Sequence, residues 1–410
     1  MHIAWLKTEL LHPIDKGGKI RTYQMLRELR REHEITYVTL DDGQAAPDAL
    51  ERATEYAHEV VRVPFRQTAK RTPAFYAELA RNVASPLPFA IAKYRSPAMR
   101  DAIRALLRRR DVDVLVCDFL FPSINVDRDL PCPTVLFQHN VEAAIWARHT
   151  QVATHPVKRL YFREQWRRMR AFEEAECRRF DHVIAVSAED EETFRRDYGV
   201  RNVSSVPTGV DTDYFSPASE RAPTPHSLVF TGSMDWLPNE DAIRFFTRDV
   251  LPLVRAQVPD VTLTVVGRNP PAHIRALADE ASAIRVTGSV PDVRPYLEGA
   301  SVFVVPIRIG GGTRLKIYEA MAMELPVVST TVGAEGLPLR SGVDAILADE
   351  PADLATAIVK LLRDPALVRR IGQTGAERVR QEFSWQRVAA AFSEICEGVA
   401  TQNRPEKLPV

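Results

Sequence analysis

Three consecutive glycines, Gly310, Gly311 and Gly312, are followed by Thr313, Arg314, Lys316 and Glu319. Glycines bring backbone N–H groups close to a ligand with no Cβ in the way. The first N–H groups of a helix lack internal partners and lie at the positive end of its dipole. Placed at a helix start, these residues make a phosphate or pyrophosphate site. Arg314 and Lys316 would sit in the first helical turn, where the dipole disfavours cations and an anionic ligand favours them. Glu319 can accept two hydrogen bonds from vicinal hydroxyls, such as those of a ribose. The same residues also fit a tight strand-to-helix turn with a surface Lys316–Glu319 pair worth about 0.2–0.5 kcal/mol. The loop is neither a Walker motif nor GxGxxG.

The flanking pattern supplies the helix start. Residues 302–305 read as a buried strand ended by Pro306. Leu315, Tyr318 and Ala322 recur at helical spacing over 313–323, and Glu324-Leu325-Pro326 stops that helix before a strand at 327–328. A second glycine pair, Gly17-Gly18, lies between a strand at 3–6 and a helix over 20–31, and reads equally as a flexible loop. His139 follows a strand at 134–137. A side chain just past the end of a parallel strand faces the usual ligand crevice of an open α/β sheet, although a lone His is more often structural. Glu142 is a weaker candidate beside it, or simply an acid in an early helical turn.

The elements that position these residues repeat as β–loop–α units, the mark of a doubly wound parallel sheet. A chain of 410 residues is long for one core, so two domains are expected. They are read as 1–215 and 228–383, joined by a linker at 216–227 that holds three prolines, with a helix and tail at 384–410. In the second half Gly232-Ser233 follows a strand from 228, and Gly267-Arg268 a strand at 261–266. Val290 lies in a turn after a strand at 284–287. The segment 64–97 is basic, aromatic and broken by prolines, and yields no assignment. A helix over 156–180 has an apolar side at Phe162, Trp166, Met169 and Phe172. Its eight Lys/Arg against four Glu suit a solvated crossover helix better than a membrane-surface one.

Composition narrows the function. Formal net charge is zero, so no nucleic-acid partner is expected. Cys117, Cys132, Cys177 and Cys396 show no metal-ligand spacing, and Cys117 and Cys132 read as buried thiols. The start MHIAWLKTELL lacks the basic and apolar regions of a signal peptide, and no apolar run is long enough to span a membrane. The expected location is cytoplasmic, with peripheral contact at the inner membrane face left open.

The stretch GGTRLKIYEAMAMELPVVST at 311–330, with VIAVS at 183–187 and NVSSVPTGVDTDYF at 202–215, resembles the family 4 retaining glycosyltransferases of the GT-B fold. The resemblance is strongest over Glu319-Ala320-Met321-Ala322 and Pro326-Val327-Val328. It implies an α/β protein with two Rossmann-like domains facing across a cleft and a C-terminal helix crossing back to the first. It also implies that Glu319 binds the donor ribose and that the glycine loop meets the donor phosphates and sugar. By the same resemblance Gly17 and Gly18 give room beside the phosphates and acceptor, and His139 contacts the transferred sugar or acceptor. Val290 and its neighbours would pair with the base through backbone groups.

Two departures stand out. The family's sugar-contacting Glu is replaced by Gly311, which leaves the donor sugar unassigned. The family's Arg and Lys for the β-phosphate are replaced by Ser233 and, roughly, Asn239. Pyrophosphate charge needs compensation, so Arg314 and Lys316, with Arg268 or Arg308, become the substitutes.

The expected function is transfer of a sugar, with retention, from a nucleoside-diphosphate-sugar to a hydroxyl of a glycan, lipid-linked or small-molecule acceptor. Polysaccharide, glycolipid or natural-product glycan synthesis would be the setting. The nucleotide sugar is a substrate, and no cofactor or metal is expected. Asp211 and Asp213 form a DxD pair, but within the stretch matched at the end of the first domain. The alternatives are a nucleotide-sugar epimerase or hydrolase on the same fold, and a catalytically silent nucleotide-sugar-binding subunit.

Overall fold

Every paired strand is parallel, which buries both faces of each sheet and explains the near-continuous apolar runs. β1 (His2–Lys7), β2 (Glu34–Asp41), β3 (Glu59–Pro64), β4 (Val114–Asp118), β5 (Thr134–Phe137), β6 (His182–Ala185) and β7 (Val203–Ser205) form one sheet in the order β3-β2-β1-β4-β5-β6-β7. β8 (Ser227–Thr231), β9 (Thr262–Val266), β10 (Ile284–Val286), β11 (Val302–Val305), β12 (Val327–Ser329) and β13 (Ile346–Leu347) form a second, β10-β9-β8-β11-β12-β13. The computed structural model describes residues 1–14, 17–69, 71–152, 155–218, 223–280, 283–309 and 315–402.

The chain makes two compact units, one of residues 1–207 with the chain from Val388 onward, the other Thr208–Arg387. This division falls ahead of the proline-rich stretch read as the linker. The Val210 N–H donates to Phe383 O at 2.8 Å, and Val210 bridges to Ser384. A Cβ at Gly209 would lie 2.7 Å from the Trp385 ring. These contacts tie residues 208–215 to the second unit. The last helix, Trp385–Gln402, returns to the first unit. There Phe392 packs on Trp5 and Phe137 at ring separations of 5.4 and 5.1 Å.

In the first unit helix Gly17–Leu29 begins at the glycine pair, earlier than the sequence pattern indicated. Helix Pro156–Arg179 buries Met169 and packs Trp166 and Phe172 on the core, while Val157 and Leu160 in its first turns are 68% and 69% exposed. The unassigned stretch holds two helices, Pro73–Val83 and Phe89–Ala92. The Thr72 side chain caps the first by accepting from Phe75 N–H. Arg168 anchors its end by donating to the carbonyls of Asn82 and Val83 at 2.7 and 2.9 Å. In the second unit the helix read as 242–254 starts at Leu237 and passes through a π turn, Phe246–Val250, before Leu251–Arg255. Pro252 cannot donate into that turn. All four cysteines are buried and free. Among the described residues no helix is long and apolar enough to cross a membrane.

Candidate functional site

Each sheet has one point where strand order reverses: between β1 and β4, and between β8 and β11. Loops leave such a point in opposite directions and open a crevice outside the carboxyl ends of the strands. The residues singled out from sequence follow β1, β5, β8, β9, β10 and β11.

In the second unit Lys316 lies in the first turn of helix Leu315–Ala322. It is half-buried, and its ammonium is turned to the end of β8. Nζ donates to Thr231 O at 2.8 Å and to Asn239 Oδ1 at 3.0 Å, and lies 4.0 Å above the Phe230 ring. The Asn239 amide also donates to Ser233 O at 2.8 Å, so one side chain ties the β8 loop to the helix after β11. Gly232 and Gly267 permit this crowding. A Cβ on Gly267 would lie 1.7 Å from Gly232 O, and one on Gly232 would lie 2.7 Å from Asn239 Nδ2. Glu319, further along the helix, makes no hydrogen bond to any described residue through its carboxylate. Burial pushes its pKa up to about 7, against the pull of Lys316. Gly310, Gly311, Gly312, Thr313 and Arg314 lie outside the described residues.

The remaining candidates of this unit are engaged locally. Arg268 Nε donates to Ser233 Oγ at 2.8 Å, and Ser233 in turn donates to Asp235. Arg308 makes a two-pronged pair with Asp241, with contacts of 2.8 and 3.0 Å, over the Phe245 ring, so its charge is already balanced. Val290 packs against the core. Gly288, nearby, accepts from Gly267 N–H at 3.2 Å. Asp211 accepts from Tyr214 N–H at 3.0 Å as a turn cap. Among the described residues no group of three His, Cys, Asp or Glu side chains could hold a metal ion.

The first unit centres on a residue the sequence reading passed over. Asp118 ends β4, is fully buried, and gathers three donors on Oδ2: Trp5 Nε1 at 3.0 Å, Lys7 Nζ at 2.9 Å and Thr22 Oγ1 at 2.6 Å. His139 Nε2 lies 2.7 Å from Oδ1, a contact distance without hydrogen-bond alignment. Burial would raise the Asp118 pKa, but Lys7 and His139 more than offset it and hold it well below the carboxylate range. Burial pushes His139 down to about 3, so its imidazole is neutral. Its ring stacks on Phe119 at 3.8 Å, and its Nδ1 has no hydrogen-bond partner among the described residues. Phe119 adopts φ +73°, a strained conformation for a bulky residue. Its ring comes within 3.0 Å of where a Cβ on Gly18 would be, whereas Gly17 faces open space.

Glu142, three residues on from His139, is also buried. Burial, then the charge of Glu173, pushes its pKa up to about 8. Glu173 caps the start of helix Glu142–Val152, accepting from the N–H groups of Glu142 and Ala143 at 2.8 and 2.9 Å. The signal that could have found Lys7 and Asp118 is a charged residue closing an apolar strand on either side of the strand-order reversal.

Two all-parallel doubly wound units with glycine-bearing loops at each reversal define the GT-B architecture. The chain spans 98% of its length in common with all of a sucrose-phosphate synthase from Thermosynechococcus elongatus, at TM-score 0.70 and 20% identity. It likewise matches the whole of Anabaena HepE, solved in complex with UDP-glucose, over 97% of its own length, at TM-score 0.64 and 13% identity. The chain belongs to the family 4 glycosyltransferases: the family model "Glycosyltransferase Family 4" matches residues 16–214 and "Glycosyl transferases group 1" residues 225–364. A phosphatidyl-myo-inositol mannosyltransferase of Mycobacterium leprae is 33% identical over 204 residues, 48% of this chain and 54% of that relative. The chain thus spans about half the length of that relative.

Proposed function

We propose that this protein transfers a sugar from a nucleoside-diphosphate-sugar to a hydroxyl acceptor, with retention and without a metal ion. The observation that carries the reading is the Lys316 ammonium, held at the β8/β11 reversal beside a helix N-terminus. A diphosphate leaving group gains negative charge as its bond to the anomeric carbon breaks, and preorganised N–H groups with a fixed cation stabilise that charge. The acceptor oxygen forms the new bond on the same face, and its proton passes to the departing phosphate. Glu319, with no hydrogen bond to a described residue, is assigned to the donor ribose hydroxyls. The glycine loop at 310–314 is assigned to the phosphates and sugar, Gly232 and Gly267 to close approach of the donor, and Val290 to the base. His139 and Gly18 are assigned to the acceptor side. That HepE is solved with UDP-glucose supports a nucleotide sugar as donor.

The test is nucleoside-diphosphate release from a panel of UDP-, GDP- and ADP-sugars, with and without hydroxyl acceptors. Release that depends on acceptor, with the α-anomeric configuration kept, is the expected result. Equal release without acceptor would make the protein a hydrolase.

A further inference from the structure

A row of aromatic rings runs along the carboxyl edge of the first sheet. It starts at His139 and Phe119, stacked at 3.8 Å. Phe121 lies 6.2 Å from Phe119 at an interplanar angle of 14°, Tyr94 lies 5.6 Å from Phe121, and Phe65 lies 6.4 Å from Tyr94 at 20°. Phe65, Tyr94 and Phe121 rest on the core yet stay only half-buried. Phe65 directly follows β3, the edge strand, which runs parallel to β2 and so to the rest of the sheet, and the row stays on the edge that carries Asp118 and His139.

The row ends at a cavity of about 690 Å³ whose wall includes Phe65, Phe75 and Trp146. Its charges are lopsided. Arg66, Arg81, Lys93 and Arg95 line it, against the single carboxylate of Glu78, which already accepts from Thr68. None of the four cations makes an ion pair with a described residue. Arginines elsewhere in this unit do: Arg104 pairs with Asp127, and Arg109 and Arg110 with Glu59. Lys93 Nζ sits 4.7 Å over the Tyr94 ring, at the junction of row and cavity. Four cations on an aromatic wall fit a ligand with an anionic end and flat apolar faces.

We propose that this cavity is the acceptor subsite, and that the acceptor is an anionic glycoside whose carboxylate or phosphate is held by Arg66, Lys93 and their neighbours while its sugar rings lie along the aromatic row toward His139. This rests on the glycosyl-transfer reading and adds to it the class of acceptor.

The experiment is calorimetric titration of the full chain with matched probes. Octyl glucuronide is compared with octyl glucoside, and glucose 6-phosphate with glucose. At least one anionic probe binds about tenfold tighter than its neutral partner, the scale of one charge-assisted hydrogen bond. A preference in the first pair identifies a uronic acid, and in the second a sugar phosphate. Arg66→Ala and Lys93→Ala each reduce the preference, and Arg95→Ala, at an exposed position, serves should Lys93→Ala lower the melting temperature. Equal affinities within both pairs, or a preference that survives all three substitutions, would overturn the assignment. Nucleotide-sugar affinity, measured on the same samples, reports separately on the transfer reading and is unchanged by these substitutions.

Discussion

The ammonium of Lys316 donates to Asn239 Oδ1 at 3.0 Å, although 77 residues separate them and they follow different strands. Asn239 stands where the resemblance places a phosphate-binding Lys, and the cation beside it comes from the helix after β11. A neutral amide on helix Leu237–Phe245 thus orients a charge supplied by helix Leu315–Ala322. The arrangement needs Gly232 and Gly267, because side chains there would fill the space it occupies.

Glu319 gives a pH signature. Its folded pKa, about 7, lies above the ordinary 4.5, so the protonated form is favoured in the fold. The stability this contributes is present below pH 4.5 and is lost as pH rises through about 7. A carboxylate that accepts from ribose hydroxyls acts in the opposite sense. Whichever UDP-, GDP- or ADP-sugar binds best, its diphosphate not titrating in this range, is expected to bind more tightly at pH 8 than at pH 5.5. Glu319→Gln flattens the profile. A flat profile in the unmodified protein contradicts the ribose assignment.

The buried Asp118–Lys7 pair gives a stability test of the first unit. Asp118→Asn leaves the Lys7 ammonium buried without its counter-charge, at a cost of about 3–5 kcal/mol in urea unfolding. Replacing both, as Lys7→Met with Asp118→Leu, costs less than the single change. The folded pKa of Asp118 is depressed, so its contribution is present above its ordinary 3.8 and lost as pH falls below that. A loss under 1 kcal/mol for Asp118→Asn would show that the ion pair is weakly coupled to folding.

His139 is neutral over the working range because its pKa is held near 3. At saturating donor, kcat is therefore expected to show no inflection near pH 6.5. His139→Gln lowers kcat by about 10²-fold, the scale of one lost polar contact in a transition state, with little change in nucleotide-sugar affinity. An equal fall in affinity would place His139 outside the chemical step.

The glycines separate by what surrounds them. Gly267→Ala forces a Cβ to 1.7 Å from Gly232 O, so the backbone must move. It is expected to lower the melting temperature by several degrees and to weaken nucleotide-sugar binding. Gly17→Ala meets nothing within 4 Å and changes neither. Comparable effects of the two in thermal unfolding would contradict the crowding argument.

The two doubly wound sheets were legible because parallel strands buried on both faces leave apolar runs such as VFVV at 302–305. The Lys316–Glu319 helix was legible for the same reason, through its 3.6-residue period. Asp118 was not, because its meaning lies in partners up to 113 residues away, and as a lone acid it reads as a strand terminator. The helices within 64–97 escaped as well. One is four residues long, and the other is specified by the Thr72 cap and by tertiary bonds from Arg168 rather than by a long apolar stripe. Arg308, close in sequence to the glycine loop, shows what spacing cannot: its partner Asp241 lies 67 residues away.

Titration of Lys316→Ala against the unmodified protein, with whichever UDP-, GDP- or ADP-sugar binds best, addresses the phosphate site most directly. A tenfold or greater rise in Kd, about 1.4 kcal/mol, with the melting temperature held within a few degrees and partial rescue by Lys316→Arg, is the predicted result. An unchanged Kd would mean that the donor diphosphate does not meet this ammonium.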